Sequence, residues 1–262
     1  FNALLAFPNR RKITTALSRL KFLVVMDPLQ TETARFWENH GEFNDVNASA
    51  IQTEVFELPT TCFAEDEGSL TNSGRWLQWH WSGGTPPGEA KTDNWIMAHL
   101  YLRLKALYEK EGGPVADPIL KLDWRYKDPG HPTAEELAKE LNGHAVTDLA
   151  DPADAAKVQI QRGKQLPGFA ALRDDGSTAC GCWIYSGCFT EAGNQMARRD
   201  TRDPDETGAF GGWAWSWPAN RRILYNRASA NLEGRPWDES RKLMWWDGSK
   251  WAGYDIPDIA PN

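Results

Sequence analysis

"RRKITTALSRLKFLVVMDPLQTETARFW", residues 10–37, carries the reading that decides the fold. Ile13, Ala16, Leu17 and Leu20 recur at helical spacing, so residues 10–20 are expected to form a helix with one apolar face. "KFLVVMD", residues 21–27, then runs apolar without alternation, the pattern of a strand buried on both faces of a parallel sheet. Pro28 suits the first turn of a following helix and Gly41 its end. "TEVFELP", residues 53–59, reads as a second strand. Helix, strand, helix and strand on short links predict an α/β domain with a parallel sheet.

Downstream the pattern changes. "DNWIMAHLYLRLKALYEKEGG" sets Ile96, Leu100, Leu104 and Leu107 on one face of a helix, with Asp93 and Gly112 as its caps. "PTAEELAKELNG" carries Thr133 three residues before Glu136, the spacing of a capping box, and closes at Asn142-Gly143. Short and polar, it is expected on the surface. From about Gly163 the sequence loosens into Gly, Pro, Trp and Asp, and seven of the fourteen Trp fall between Trp213 and Trp251. Such a stretch does not bury itself as regular helix and is expected to pack as an extended belt against another domain or subunit.

The expected organisation is therefore residues 1–62 as part of an α/β domain, 63–150 as a segment with helices, and 151–262 as an irregular Gly/Trp-rich extension. The chain opens "FNALLAFPNRRK", with no initiator Met and no earlier strands for the first one to pair with. It reads as an internal piece of a longer polypeptide.

A chain of 262 residues with 41% hydrophobic content can bury a substantial core. Its net charge of −7 argues against a nucleic-acid footprint, although Arg198, Arg199, Arg202, Arg221, Arg222 and Arg227 form a local basic cluster suited to an anion or another subunit. Mean hydropathy is −0.58 and no apolar run approaches eighteen residues, so no membrane-spanning helix is expected. No basic start followed by an apolar stretch marks a signal peptide. The cysteines are Cys62, Cys180, Cys182 and Cys188. Structural thiols in a Gly-rich turn, a disulfide and a metal site all remain open for the last three, with no fourth ligand at a recognised spacing.

Three constellations could carry chemistry. Asp27 ends the first strand, where open α/β sheets bind nucleotides, and a carboxylate there can accept two hydrogen bonds from a guanine edge. Alternatively, it caps a helix. Residues 64–81, "AEDEGSLTNSGRWLQWHW", place Glu65, Gly68, Asn72, Gly74 and Arg75 in a segment that must turn twice. Its N–H groups and the Arg75 fork could face a ligand, or the turn could close on an internal ion pair. His80 reads as a packed histidine. Residues 180–200, with Trp183, Asn194 and Gln195, could clasp a polar cofactor edge or form a subunit interface. No phosphate loop, nucleophile elbow, zinc histidine pair or Cys–His couple accompanies them.

"KFLVVMDPLQTETARFW", "LPTTCFAEDEGSLTNSGRWLQWHW", "LRDDGSTACGCWIYSG", "GNQMARRD" and "GWAWSWPANRRILYNRASA" closely resemble the large catalytic subunit of respiratory or periplasmic formate dehydrogenases. That family belongs to the molybdopterin oxidoreductases, which carry molybdenum or tungsten on two pterin guanine dinucleotides. The resemblance implies that Asp27 meets a guanine of one dinucleotide with Thr31 and Thr33 beside it. It also implies that Glu65, Gly68, Asn72 and Arg75 run toward the cofactor and iron–sulfur side. Formate would be the substrate, electrons would leave to a smaller iron–sulfur subunit, and the location would be periplasmic. The [4Fe–4S] cysteine motif, the selenocysteine or cysteine metal ligand and a carboxyl-terminal barrel would lie in the remainder of the catalytic subunit. A nitrate or polysulfide reductase would share Asp27 and the Gly–Arg segment but lack "SGRWLQWHW". A Trp-rich binding module without catalysis is the alternative of a different class.

Overall fold

The computed structural model describes residues 2–38, 47–203, 210–217, 219–220, 229–242 and 244–253. They divide into two compact units, Phe1–Asp66 with Trp81–Pro132, and Glu67–His80 with Thr133–Asn262.

The first unit contains α1 (Ala3–Ala6), α2 (Arg10–Leu17), β1 (Phe22–Asp27), β2 (Glu54–Pro59), α3 (Asp93–Glu111) and α4 (Ala116–Leu120). β1 and β2 are parallel, in register from Phe22 opposite Glu54 to Asp27 opposite Pro59. The expected parallel sheet is thus present as two strands. Its burial differs from expectation. Phe22, Val24, Phe56 and Leu58 share one face, and all four are exposed, between 36% and 61%. An unbroken apolar run signals that both faces prefer cover, and the described residues supply it on the Val25 side only.

α2 stops at Leu17, three residues early. Arg19 and Leu20 bond back to the carbonyls of Ala16 and Leu17, the tight i to i+3 closure common at helix ends. The helix expected after Pro28 does not form, because residues 32–37 are a run of turns. Thr33 is turned inward there, donating to Asn2 Oδ1 at 2.7 Å and accepting from Leu4 N at 3.2 Å, with Ala34 and Phe36 buried beside it. A short helix has little stability of its own, and these tertiary ties override it. Gly41 lies outside the described residues.

α3 forms where the periodicity places a helix, but Leu100, Leu104 and Leu107 of the expected apolar face are exposed, and Ala98 and Tyr101 are buried. Its cap is Thr92, whose hydroxyl accepts from Trp95 N, and Asp93 is the first helical residue, where a carboxylate suits the helix dipole. Gly112 ends the helix at φ 67°. Tyr101 packs inward and donates to Ile119 O of α4 at 3.2 Å.

The second unit is built from short antiparallel ladders. β3 (Gly68–Thr71), β4 (Trp76–His80), α5 (Ala134–Asn142), β5 (His144–Ala145), β6 (Leu149–Asp151), β7 (Asp154–Ile160), β8 (Thr178–Ala179), β9 (Phe189–Thr190), β10 (Gly193–Asn194), β11 (Trp215–Ser216), β12 (Met244–Trp246) and β13 (Trp251–Gly253) follow in order. β11, β4 and β3 make one three-stranded sheet, and the remaining strands pair in twos. Leu77, Trp79, Ala138, Cys188, Phe189, Met196 and Trp215 form the core. Trp215 therefore packs inside its own unit, not in a belt reserved for a partner, whereas Trp237 is 72% exposed.

α5 has the full capping box, with Thr133 and Glu136 bonded reciprocally. Contrary to the surface expectation, Ala138 and Asn142 on its inner side are buried, while the Glu135–Lys139 pair lies outward. Asn142 is the hub of the unit. Its Nδ2 donates to Gly143 O and Leu166 O, and its Oδ1 accepts from Gly187 N at 2.6 Å and Phe189 N at 3.2 Å. Ser186 Oγ donates to its carbonyl at 2.6 Å. One buried amide thus satisfies backbone groups of three segments, which is what burial of a polar side chain requires. Gly143, at φ 91°, leaves no room for a side chain: an added Cβ would lie 2.5 Å from Cys180 Cβ.

Candidate functional site at the carboxyl ends of the parallel strands

β1 and β2 end side by side, β1 on Asp27 and β2 just before Thr60 and Thr61. Thr60 N donates to Asp27 O, and Thr60 Oγ1 donates to Asp93 Oδ1 at 2.7 Å. Thr61 N donates to Lys91 O, and Lys91 N to Pro59 O, so residue 91 lies parallel to the end of β2. These bonds anchor the amino terminus of α3 beside the strand ends. That combination of strand ends, a carboxylate and a helix start is the usual setting for a nucleotide in α/β proteins.

Asp27 is half-buried there. Thr31 Oγ1 donates to its Oδ2 at 3.3 Å, and among the described residues Oδ1 accepts no hydrogen bond. A half-buried carboxylate oxygen without a donor can still take an N–H from a ligand. N–H groups such as those on a guanine edge are of the type this acceptor can take. Thr31 contacts Asp27 directly, and Thr33 holds the following turns to Asn2 and Leu4.

Glu65 serves its own turn, since Oε2 accepts from Cys62 N at 3.1 Å. Gly68, Asn72 and Arg75 fall in the second unit. Gly68 opens β3 opposite His80, and a Cβ there would meet nothing closer than 3.9 Å. Asn72 Oδ1 accepts from Gly74 N at 2.9 Å and Trp76 N at 3.3 Å, so its side chain shapes the hairpin between β3 and β4. Arg75 takes the left-handed conformation at φ 62°, its carbonyl accepts from Trp217 N, and its guanidinium lies 4.6 Å from the Trp217 ring centroid. A non-glycine residue held at positive φ stores roughly 1–2 kcal/mol. Trp217 is not legible as its partner, because the two are 142 positions apart.

Among the described residues, the arginines of the basic cluster are bonded locally. Arg198 donates to Gln195 O, Ala214 O and Asn220 Oδ1, and burial holds its guanidinium below the usual range. Arg199 donates to Trp79 O and lies over the Trp213 ring. Arg202 pairs with Asp200, whose carboxyl is held down at about 2 by that hydrogen bond. Arg221, Arg222 and Arg227 lie outside the described residues, as does most of "RRILYNRASA". Asn194 caps its own turn on Met196 N, and Gln195 donates to Gly193 O. All four cysteines are free thiols. Burial pushes Cys188 up to about 12, and burial followed by the nearby Cys182 raises Cys180. Among the described residues no three His, Cys, Asp or Glu side chains are placed to share an ion.

No protein-family model matches the chain. Curated relatives do. The chain is 57% identical to the formate dehydrogenase-O major subunit of Escherichia coli over 260 residues, which is 99% of this chain and 26% of that protein. This chain is a homologue of one section of the formate dehydrogenase major subunit. It is 53% identical over 98% of its length to the formate dehydrogenase major subunit of Haemophilus influenzae, covering 25% of that protein. It is 41% identical over 98% of its length to formate dehydrogenase 2 subunit alpha (cytochrome c-553) of Nitratidesulfovibrio vulgaris, covering 24% of it. The chain thus spans about a quarter of the length of the curated relatives it matches. Among the described residues no helix is long and apolar enough to cross a membrane.

Proposed function

We propose that this chain is the nucleotide-gripping section of a formate dehydrogenase catalytic subunit, whose whole oxidises formate to carbon dioxide. The observation that carries the reading is 57% identity sustained over 99% of the chain, including the segments that hold the strand-end site and the β3–β4 hairpin. A pterin guanine dinucleotide cofactor carrying molybdenum or tungsten would supply the redox chemistry, and the protein's part is to bind and orient it.

Asp27 would accept the guanine N–H groups through the oxygen that has no donor among the described residues, while Thr31 fixes the other oxygen and so the plane of the carboxylate. Thr60 and Asp93 hold α3 against the same strand ends, where its first N–H groups favour negative charge. Thr33 contributes at one remove by pinning the loop after β1, and Glu65, Gly68 and Asn72 contribute by shaping their turns. Arg75, held at positive φ on Trp217, presents a rigid fork of donors suited to a phosphate or a conjugated ring. Backbone strain of this kind clusters at ligand-contacting positions.

The [4Fe–4S] cluster, the metal's own protein ligand and the electron-transfer subunit would belong to the rest of the assembly. Periplasmic placement follows the same family reading. The test is metal and pterin analysis of the complete assembly, together with formate-dependent dye reduction. Bound molybdenum or tungsten, pterin and formate-driven reduction are expected. An assembly that carries no pterin, or that reduces dye with another substrate and not with formate, would refute the proposal.

A further inference from the structure

Strand alternation places Leu23, Val25 and Asp27 on one face of the β1–β2 pair, and the parallel register sets Val55, Glu57 and Pro59 beside them. Asp27 and Glu57 therefore share the face on which Val25 is buried, and the spacing and rise of paired strands put their Cα atoms roughly 8 Å apart. The loop after β1 returns to this face and ties both carboxylates in the same manner. Thr31 Oγ1 donates to Asp27 Oδ2 at 3.3 Å, and Gln30 Nε2 donates to Glu57 Oε2 at 3.1 Å. With its amide nitrogen on Glu57, Gln30 turns its own carbonyl oxygen away from that carboxylate. Both side chains are exposed, and among the described residues neither Gln30 Oε1 nor Glu57 Oε1 accepts a hydrogen bond. Two negative charges and three open acceptors, counting Asp27 Oδ1, repel a phosphate and favour a ligand that brings N–H and O–H groups.

We propose that Glu57 and Gln30 accept the ribose hydroxyls of the nucleotide whose guanine meets Asp27, and so make the site selective for a ribose. The inference rests on the guanine reading of Asp27 and extends it from the base to the sugar. Once a guanine has given its N–H edge to one carboxylate, the donors on its sugar are the 2′ and 3′ hydroxyls, because the 5′ oxygen carries the phosphate. A second carboxylate on the neighbouring strand, on the same face, is matched to them. Dinucleotide-binding α/β folds likewise set an acidic side chain against a ribose hydroxyl. Glu57 supplies the charged acceptor and fixes the Gln30 amide, whose carbonyl oxygen takes the second hydroxyl. A tether that only fastens the loop would also account for the Gln30–Glu57 bond, but it would be indifferent to the sugar.

The test uses the full-length polypeptide freed of bound nucleotide, with the folding of each variant checked by thermal unfolding. It is titrated by calorimetry with guanosine diphosphate and with the 2′,3′-dideoxy analogue. The unaltered protein is expected to bind the ribose form about tenfold or more tightly, the scale of one hydrogen bond to a charged group. Glu57→Ala is expected to bring the two affinities within about threefold by weakening the ribose form alone, and Gln30→Ala to narrow the gap in part. Equal affinities in the unaltered protein overturn the proposal. So does a Glu57→Ala variant that keeps the full preference, or one that weakens both nucleotides alike, which is the outcome of a tether. Asp27→Ala separates the two readings, since it is expected to weaken both nucleotides equally. If it weakens neither while the ribose preference persists, the guanine reading fails and the sugar contact stands. Binding of neither nucleotide by the unaltered protein refutes both.

Discussion

The two units solve the problem of burial in opposite ways. Among the described residues the second has no sheet wider than three strands, yet it closes a core around Trp79, Met196 and Trp215 and fastens three segments to one buried amide at Asn142. The first has the more regular elements, a parallel strand pair and a 19-residue helix, but leaves Phe22, Val24, Phe56 and Leu58 exposed on its sheet and Leu100, Leu104 and Leu107 exposed on α3. Regular secondary structure and self-sufficiency are therefore separate properties. Local pattern makes the elements, whereas closure depends on how much apolar surface finds a neighbour.

If that contrast is right, substitutions at the hub of the second unit should have the largest effect. Asn142→Ala strands Gly187 N, Phe189 N and Leu166 O without partners and is expected to destabilise by roughly 3–5 kcal/mol, read by urea unfolding. Gly143→Ala forces a Cβ against Cys180 at positive φ and is expected to cost about 3 kcal/mol by the same measurement. Met196→Ala, which empties a nearly solvent-free site, should lose about 2–3 kcal/mol.

A pH experiment sharpens the picture of that core. Cys188 titrates near 9 when unfolded and about 12 when folded, so between those values the folded chain keeps a proton that the unfolded chain has lost. Its contribution to stability is fully present below pH 9 and declines as pH rises toward 12. Comparing unfolding of the unaltered protein and Cys188→Ala from pH 8.5 to 10.5 should show a shallower decline in the variant, by up to about 1.4 kcal/mol per pH unit. In the first unit, Val24→Ala should change the stability of this chain by only about 0.5 kcal/mol, because the side chain is largely in water. A loss as large as that of Met196→Ala would break the comparison.

Much of this was legible from local signals. The Thr133–Glu136 box, the run of α3 and its stop at Gly112 arise from residues within one turn of each other. The parallel pair was legible because two strand-like runs, residues 21–27 and 53–59, are separated by a connection long enough for a parallel crossover. What failed did so for tertiary reasons. The turns after Pro28 replace a helix because Thr33 bonds to Asn2 and Leu4, about thirty residues away. Asn142 reads in sequence as a helix stop, since its partners lie 24 to 47 residues downstream. The place of Asp27 at the end of β1 was legible from the apolar run before it. Thr60 and Asp93, which bring α3 to that site, carry no local sign of it.

The central claim is that the Asp27 carboxylate holds the guanine end of a pterin dinucleotide. It is tested most directly by Asp27→Ala in the full-length subunit, with guanine nucleotide released from the purified protein quantified per polypeptide and folding checked by thermal unfolding. A severalfold loss of bound guanine nucleotide at unchanged unfolding temperature is the predicted result. Full nucleotide content in the variant would contradict the account.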